Sequence, residues 1–511
     1  MSKVVLVRPS YLDTKAYTPG SLTIHLGILG VGSALRDAGY DVILIDTMVH
    51  DDWSERLRRE AKGALYVGIT AMTGQVNSGI EAARIVREIA PGTPVVWGGA
   101  HVSIFPEQAV ESRWCDVAVI GEGEKTAVQL AECFGNGAEL KNVEGIAFRS
   151  NEGVVKTPKT DAIEDLDTLS YPAYDLYSAE DLERLITEPL TYDLKKEWRT
   201  FYLQCGRGCR FKCTFCINTV LPENHCRYRT KSAARIIEEM VFFGETYGIK
   251  EFFLQDEDFF TEKEKVLEFL DLYEQKKLSY RWHANGRANY FTDSYINRKF
   301  CERLDRCGMA SLGVGFESGS ERMLRRMKKG ITPEMMRKTA RTISGSGIEL
   351  FIGFMVGMPG EKREDMLETI KSVWEITYLA PGNYFFCGPA TYRPYPGVKM
   401  FEEAVEMGFK PPATLEGWGG FSMNKWGYMI QDEIPWVEDT KIFNFVAKFL
   451  PSLIFPRHIR FYPIKAVFRA LYAPVLNFRI RRNYWKNLLE LKIYLALKRV
   501  WRLYFRESEV I

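Results

Sequence analysis

Three things are scarce in this sequence, and each shortage narrows its function. No run of about eighteen charge-free apolar residues occurs, so no membrane-spanning helix is expected. The N-terminus, MSKVVLVRPS, enters an apolar strand at once. It lacks the charged, apolar and small-residue regions of a secretory signal, so a cytoplasmic protein is expected. Net charge is nearly absent: 68 Lys and Arg against 66 Asp and Glu leave +2. That balance argues against wholesale nucleic-acid binding. What is present, 46% hydrophobic and 26% charged residues, is globular in proportion. A chain of 511 residues exceeds one ordinary core, so two or three domains are expected.

Cysteines are few but unevenly spread. Cys205, Cys209, Cys213, Cys216 and Cys226 crowd together, while Cys115, Cys133, Cys301, Cys307 and Cys387 are scattered. In a large chain without a secretory signal, clustered cysteines point to metal rather than disulfides. Cys209-Arg-Phe-Lys-Cys213-Thr-Phe-Cys216 is a C-x3-C-x2-C run on the loop after the strand TFYLQC. Three thiolates so spaced can wrap one [4Fe–4S] cube and leave its fourth iron without a protein ligand. A structural zinc site is the competing reading, with His225 or Cys226 as fourth ligand.

Along the chain, residues 1–150 alternate short apolar runs with helical patterns: KVVLVRPS, DVILID, ALYVGIT, PVVWGG and DVAVIGEGE are the strands. That alternation predicts βαβ crossovers and a parallel, doubly wound sheet, α/β in class. Such sheets bind ligands at the carboxyl ends of their strands. Those ends are Pro9 to Tyr11, Thr70 to Gly74, Gly98 to His101, and Gly121 to Glu124. A hairpin turning at Asn151-Glu152-Gly153 follows, and then the acidic, irregular IEDLDTLSYPAYD, read as a linker over 151–195. Residues 196–400 form a second α/β series with six strands (TFYLQC, EFFLQD, YRWHAN, SLGVGFE, ELFIGFMVG, NYFFCGPAT), the count of a partial (β/α)6 barrel. Residues 401–511 lose the alternation and end in a helical, basic and aromatic region.

The cysteine triple, with Phe215 in its aromatic slot, resembles the signature of the radical S-adenosylmethionine (SAM) superfamily. Three strand ends downstream resemble it too: Gln255-Asp256-Glu257-Asp258, Gly315-Phe316-Glu317-Ser318-Gly319, and Gly353 to Gly360 (GFMVGMPG). The resemblance implies that Cys209, Cys213 and Cys216 hold the cluster. It further implies that Phe215, Gln255, Glu257, Arg287, Glu317, Ser318, Gly357 and Pro359 line the SAM site. It implies reductive cleavage of SAM to a 5′-deoxyadenosyl radical, which takes hydrogen from an unactivated carbon. Arg210 departs from the subgroup's pattern, which often has Pro after the first cysteine.

The N-terminal unit ahead of such a domain resembles the cobalamin-binding branch of the superfamily, through VGITAMTG, VVWGGAHVS and GEGE. The resemblance places cobalamin against Ser10, Tyr11, Thr70, Ala71, Thr73, Gly98, Gly99, His101, Gly121, Glu122, Gly123 and Glu124. A D-x-H-x-x-G motif is absent, so no His is expected beneath the cobalt, and His101 is read as packing or hydrogen-bonding. This branch implies methyl transfer to a carbon of a small-molecule or lipid-like substrate, with a flavodoxin or ferredoxin as electron donor. The alternatives are radical cyclisation, oxidation or rearrangement without methyl transfer, as in the tetrapyrrole cyclase branch, and a cluster- or corrinoid-binding sensor. In the basic C-terminal tail, Leu489, Ile493, Leu497, Val500 and Tyr504 recur at helical spacing. The stripe is read as core, with contact at the inner membrane face as the alternative. Met423, Trp426 and Tyr428 are read as core rather than substrate pocket.

Overall fold

The computed structural model describes residues 2–11, 24–187, 199–220, 223–420, 434–454 and 462–505. Met423, Trp426 and Tyr428 lie outside them. Two compact units make up the chain. The first joins Met1–Glu188 with Val220–Lys231 and Pro411–Trp426, and the second joins Pro189–Thr219 with Ser232–Lys410 and Gly427–Ile511. The sequence suggests cuts near 150, 195 and 400, but the chain crosses between units more than once.

The first unit holds a seven-stranded sheet of β1 (Lys3–Arg8), β2 (Asp41–Asp46), β3 (Ala64–Thr70), β4 (Val95–Gly98), β5 (Val117–Val119), β6 (Ile146–Ser150) and β7 (Gly153–Lys156). Their spatial order is 2-1-3-4-5-6-7. β1 to β5 pair in parallel, and the β6–β7 hairpin is added antiparallel. Val4, Val5, Leu6 and Val7 are all buried, as a strand covered by helices on both faces must be. The strand order reverses between β1 and β3, which opens a crevice at their carboxyl ends. The acidic segment read as a linker packs instead: Leu166, Ala173, Tyr174 and Tyr177 are buried. Its backbone also anchors helix Leu26–Asp37, with the Ser33 hydroxyl on the Tyr171 carbonyl at 2.8 Å. Its apolar residues need a core, and that helix supplies one.

At the end of β1 sits a buried ion pair, Arg8 Nη1 to Asp46 Oδ2 at 2.8 Å, both side chains almost fully excluded from water. The Tyr177 hydroxyl donates to the same oxygen at 2.8 Å, and the Met48 N–H to Asp46 Oδ1 at 3.0 Å.

The second unit carries six parallel strands: β8 (Thr200–Gln204), β9 (Glu251–Gln255), β10 (Arg281–Gly286), β11 (Met309–Glu317), β12 (Glu349–Val356) and β13 (Tyr384–Thr391). Neighbours in sequence are neighbours in space from β8 to β13, and the sheet is open between its two ends among the described residues. That is a partial (β/α)6 barrel. Its helices start where the side chains cap them: Ser232 accepts from Arg235 N–H, Asn297 from Phe300 N–H, and Thr332, followed by Pro333, from Met335 N–H. Along β12 burial alternates strictly, so one face packs on helices while Phe351, Gly353 and Met355 keep access on the other.

Past the barrel lie helices Tyr462–Arg482 and Leu489–Phe505. Of the stripe expected to be core, Leu489, Ile493 and Leu497 are exposed, whereas Trp485, Leu488 and Leu491 are buried; the side chains of Val500 and Tyr504 lie outside the described ones. The Tyr494 ring meets Phe449 edge-on at 5.4 Å, which turns the helix so that the neighbouring face packs.

Asp46→Ala removes the carboxylate that pairs with the buried Arg8 and should cost about 3–5 kcal/mol. Tyr177→Phe removes one hydrogen bond and should cost about 1 kcal/mol. Both are read from chemical-unfolding midpoints.

Candidate functional site

In the barrel unit, the cysteine loop leaves β8 at Cys205. Its N–H continues the pairing to the Gln255 carbonyl at 3.1 Å, and its buried thiol donates to the Leu203 carbonyl at 3.7 Å. Cys205 therefore ends the strand. Cys209 and Cys216 are partly accessible and Cys213 is buried. The loop is clamped through its backbone: Thr214 N–H donates to the Met327 carbonyl and Met400 N–H to the Thr214 carbonyl, each at 3.0 Å. Cys216 N–H to the Cys213 carbonyl and Thr219 N–H to the Cys216 carbonyl, both at 3.1 Å, wind the last cysteine into a turn.

The electrostatics of this loop are conflicted. Burial pushes the Cys209 and Cys216 thiols up, Cys216 to about 11. Asp258 and Cys213 add to the rise at Cys209, and Glu257, Cys213 and Cys209 to that at Cys216. Mutual repulsion among the three places them as one group. Arg287 opposes it: its guanidinium donates to Cys213 Sγ at 3.8 Å, lies 3.6 Å over the Phe211 ring, and is held by the Lys329 carbonyl. Buried thiols that repel one another bind as thiolates only when a stronger positive centre draws off their protons, as bound metal does. The donor set therefore fits an iron–sulfur cube.

Zinc fits poorly. His225, the suggested fourth ligand, has both ring nitrogens engaged in the first unit, Nδ1 by Glu122 N–H at 3.1 Å and Nε2 on the Thr160 carbonyl at 3.2 Å.

The residues expected around SAM divide into two groups. Gln255, the last residue of β9, and Glu257 just past it are exposed, and the aromatic Phe215 has Lys329 Nζ 5.8 Å from its centroid. Desolvation raises the Glu257 carboxyl, with Asn218 hydrogen-bonding to it and Asp256 repelling it. The rest are committed within the protein. Glu317, with φ +66°, pairs with buried Lys329 at 2.8 Å. The buried Ser318 hydroxyl meets Thr369 Oγ1 at 3.2 Å. Gly357 and Pro359 form a turn in which Gly357 and Met358 N–H donate to Glu361 Oε2, and Trp436 Nε1 donates to the Gly357 carbonyl at 2.7 Å.

Sequence reasoning placed Asp258 in a strand-end segment without counting it among the SAM contacts, and passed over Glu361. Burial pushes Asp258 up to about 6 although Tyr290 donates to it at 2.6 Å. Burial pushes Glu361 up to about 8. The only sequence signal for Glu361 was an acid directly after a Gly-x-Pro-Gly turn.

In the first unit, the residues expected to meet cobalamin lie at or just past the carboxyl ends of β1, β3, β4 and β5. Ser10 N–H donates to Ser78 Oγ at 3.2 Å, and Tyr11 follows it past β1. Thr70 ends β3 and Ala71 and Thr73 follow it, with Met72 exposed among them. Ala71 N–H to the Gly98 carbonyl and His101 N–H to the Ala71 carbonyl lock the β3 and β4 loops together. Gly99 has φ +97°, and a Cβ there would stand 2.8 Å from the Ala71 carbonyl oxygen, so only glycine fits. His101 meets Thr73 Oγ1 through Nδ1 at 3.2 Å and sits edge-on to Phe105 and Trp418. Desolvation lowers its pKa to about 4, so the ring is neutral, and Nε2 has no hydrogen-bond partner among the described residues.

Gly121, Glu122, Gly123 and Glu124 follow β5, but they are mostly occupied. Glu122 takes Arg229 with both oxygens and also the Ile163 N–H at 3.1 Å. Gly121 lies under the His225 ring, where a Cβ would come within 2.8 Å. Glu124 is buried near Gly30, where a Cβ would stand 3.2 Å from its Oε1. The segment that follows the cysteines is thus pinned to this unit by Arg229 and His225, a role that spacing alone did not show.

Glu361 carries a testable consequence. Its folded pKa is raised, so the native state keeps a proton that the unfolded chain releases. Stability should fall as pH climbs from about 4.5 to about 8 and then level off. Glu361→Gln should flatten that slope and leave the protein more stable than the parent at pH 8.5, as urea unfolding at pH 5.5 and 8.5 will show. A slope like the parent's would locate the titration elsewhere.

Comparison with known proteins bears on both units. The radical SAM superfamily model matches residues 203–373, and the B12 binding domain model matches residues 16–131. An uncharacterized methyltransferase of Pyrococcus horikoshii is 29% identical over 406 residues, covering 79% of this chain and 83% of that one. An anaerobic magnesium-protoporphyrin IX monomethyl ester cyclase of Rubrivivax gelatinosus is 26% identical over 409 residues, covering 78% and 70%. Among solved structures, the radical SAM methyltransferase TsrM of Kitasatospora setae, with cobalamin and a [4Fe–4S] cluster bound, shares the fold with a TM-score of 0.61. It is 19% identical and covers 82% of this chain and 81% of its own. The chain therefore carries a B12-binding domain ahead of a radical SAM domain that holds the cysteine loop.

Proposed function

We propose that this enzyme methylates an unactivated carbon of a hydrophobic small molecule. When bound, the cluster, SAM and methylcobalamin supply an electron, a 5′-deoxyadenosyl radical and a methyl group. The observation that carries the reading is the presence, in one chain, of an Arg287-buttressed cysteine loop and of B12-type strand-end loops in which His101 is wedged between aromatic rings. Cys209, Cys213 and Cys216 would hold the cluster. Gln255 and Glu257 would meet the ammonium group of SAM, Phe215 would pack beside it, and the Gly357–Pro359 turn would support the adenine. Glu317 and Ser318 would act indirectly, by shaping the loop that Lys329 and Thr369 hold.

On the cobalamin side, the donors are largely backbone groups and hydroxyls of Ser10, Tyr11, Thr70, Ala71, Thr73, Gly98 and Gly99. They suit the amide-fringed edge of a corrin. With its Nδ1 on Thr73 and its ring against Phe105 and Trp418, His101 would pack beside the cofactor rather than hold it. A small ferredoxin or flavodoxin would deliver the electron. The cyclase relative favours a second reading, radical cyclisation without methyl transfer; a product heavier by one methyl group decides between them.

Cys213→Ala should lose the iron and release no 5′-deoxyadenosine from SAM under anaerobic reduction, while cobalt binding persists. Release by that variant would end the cluster assignment. Arg287→Leu removes a cation that donates toward a cluster-ligating sulfur. It should keep the iron yet lower the cluster's midpoint potential, since hydrogen bonds and positive charge near the sulfurs favour the reduced form. A redox titration followed by electron paramagnetic resonance reads that shift.

A further inference from the structure

Large apolar side chains that stay in water need an explanation when they gather on one surface. Among the described residues sixteen are strongly exposed, and nine of them lie between Val467 and Leu497. In helix Tyr462–Arg482, Val467, Leu471, Val475 and Phe478 fall within an arc of about 80° at 100° per residue. Leu471 is 73% exposed, while Tyr472, Leu476 and Arg479, on the far side of the helix, are buried. In helix Leu489–Phe505, Leu489, Ile493 and Leu497 share a similar arc and are 65%, 52% and 64% exposed. Each helix is therefore anchored by one face and offers a second apolar face to its surroundings.

Charge says what that face meets. The two helices contain one acidic residue, Glu490, and it is taken by Arg479 at 2.7 Å and by the Tyr472 hydroxyl at 2.7 Å. The exposed charges left beside the apolar rows are Arg481, Arg482, Lys486 and Lys492, all positive. Apolar rows flanked by cations on helices that lie along a surface match the physics of interfacial membrane binding. Neither helix is long and apolar enough to cross a bilayer. We propose that these two helices are a docking surface for an anionic phospholipid bilayer, with Leu471, Phe478, Leu489 and Ile493 entering the headgroup boundary and Arg481, Arg482, Lys486 and Lys492 meeting lipid phosphates.

The test is anaerobic co-sedimentation of the full-length holoenzyme with vesicles of phosphatidylcholine alone, or containing about one third phosphatidylglycerol. The protein should partition onto the anionic vesicles at least tenfold better than onto neutral ones, and less in high salt. Leu471→Glu with Ile493→Glu should abolish partitioning. Arg481→Glu with Arg482→Glu should cut anionic binding by about 30-fold or more, since each cation near the surface contributes about fivefold. All four positions are exposed, so folding should be intact, as circular dichroism and iron content will confirm. No partitioning by the parent, or partitioning unchanged by Leu471→Glu with Ile493→Glu, overturns the proposal. So does a dimer in sedimentation velocity that the leucine and isoleucine substitutions dissolve while vesicles bind neither protein; the face would then belong to a second copy.

Discussion

Three thiols on one short, half-buried loop cannot all ionise together unless positive charge compensates them, and much of the barrel's site answers that constraint. Burial and mutual repulsion raise Cys209 and Cys216, and nearby Asp258 and Glu257 raise them further. The opposing cation is Arg287, buried, stacked on Phe211 and donating to Cys213 Sγ. The carbonyls of Arg326, Met327 and Lys328 take the loop's hydroxyl, amide and thiol hydrogens. Lys329, next in the chain, is turned to Glu317 instead. One short segment therefore braces both the cluster loop and the glycine-rich strand end.

The same geometric economy governs both units. Parallel strands run their carboxyl ends to one edge of the sheet, so the loops that follow them gather without any long-range plan in the sequence. In the first unit those loops are joined mainly by backbone hydrogen bonds, Ala71 to Gly98 and His101 to Ala71, which leaves little room for side-chain variation beneath them. In the second unit Cys209, Glu257 and Arg287 follow successive strands β8 to β10, and Glu317 ends β11.

How much of this was readable beforehand depends on the range of each interaction. All six barrel strands and the five parallel strands of the first unit carry local apolar runs, and each was legible. The cysteine triple was legible because its spacing is local. Glu122 was legible as a strand-end residue but not as the partner of Arg229, which lies 107 positions away. Ser318 and Glu317 were placed at the right strand end, yet their engagement with Thr369 and Lys329 depends on how two loops fold over one another. The C-terminal stripe misled because periodicity reveals an amphipathic helix without saying which way the helix is turned.

The sequence by itself determined the class of chemistry, through C-x3-C-x2-C and the strand ends after it, and the α/β architecture of both units, through the alternation of apolar runs with helical patterns. These are local properties, set by spacing and by side-chain burial along one segment. Tertiary structure alone decided which polar groups are spent on the protein itself: Glu122 on Arg229, His225 on Thr160, Ser318 on Thr369. It also decided which apolar face of the last helices meets water. Those outcomes depend on the packing of distant segments, because a buried polar group must find its partner wherever the fold brings one.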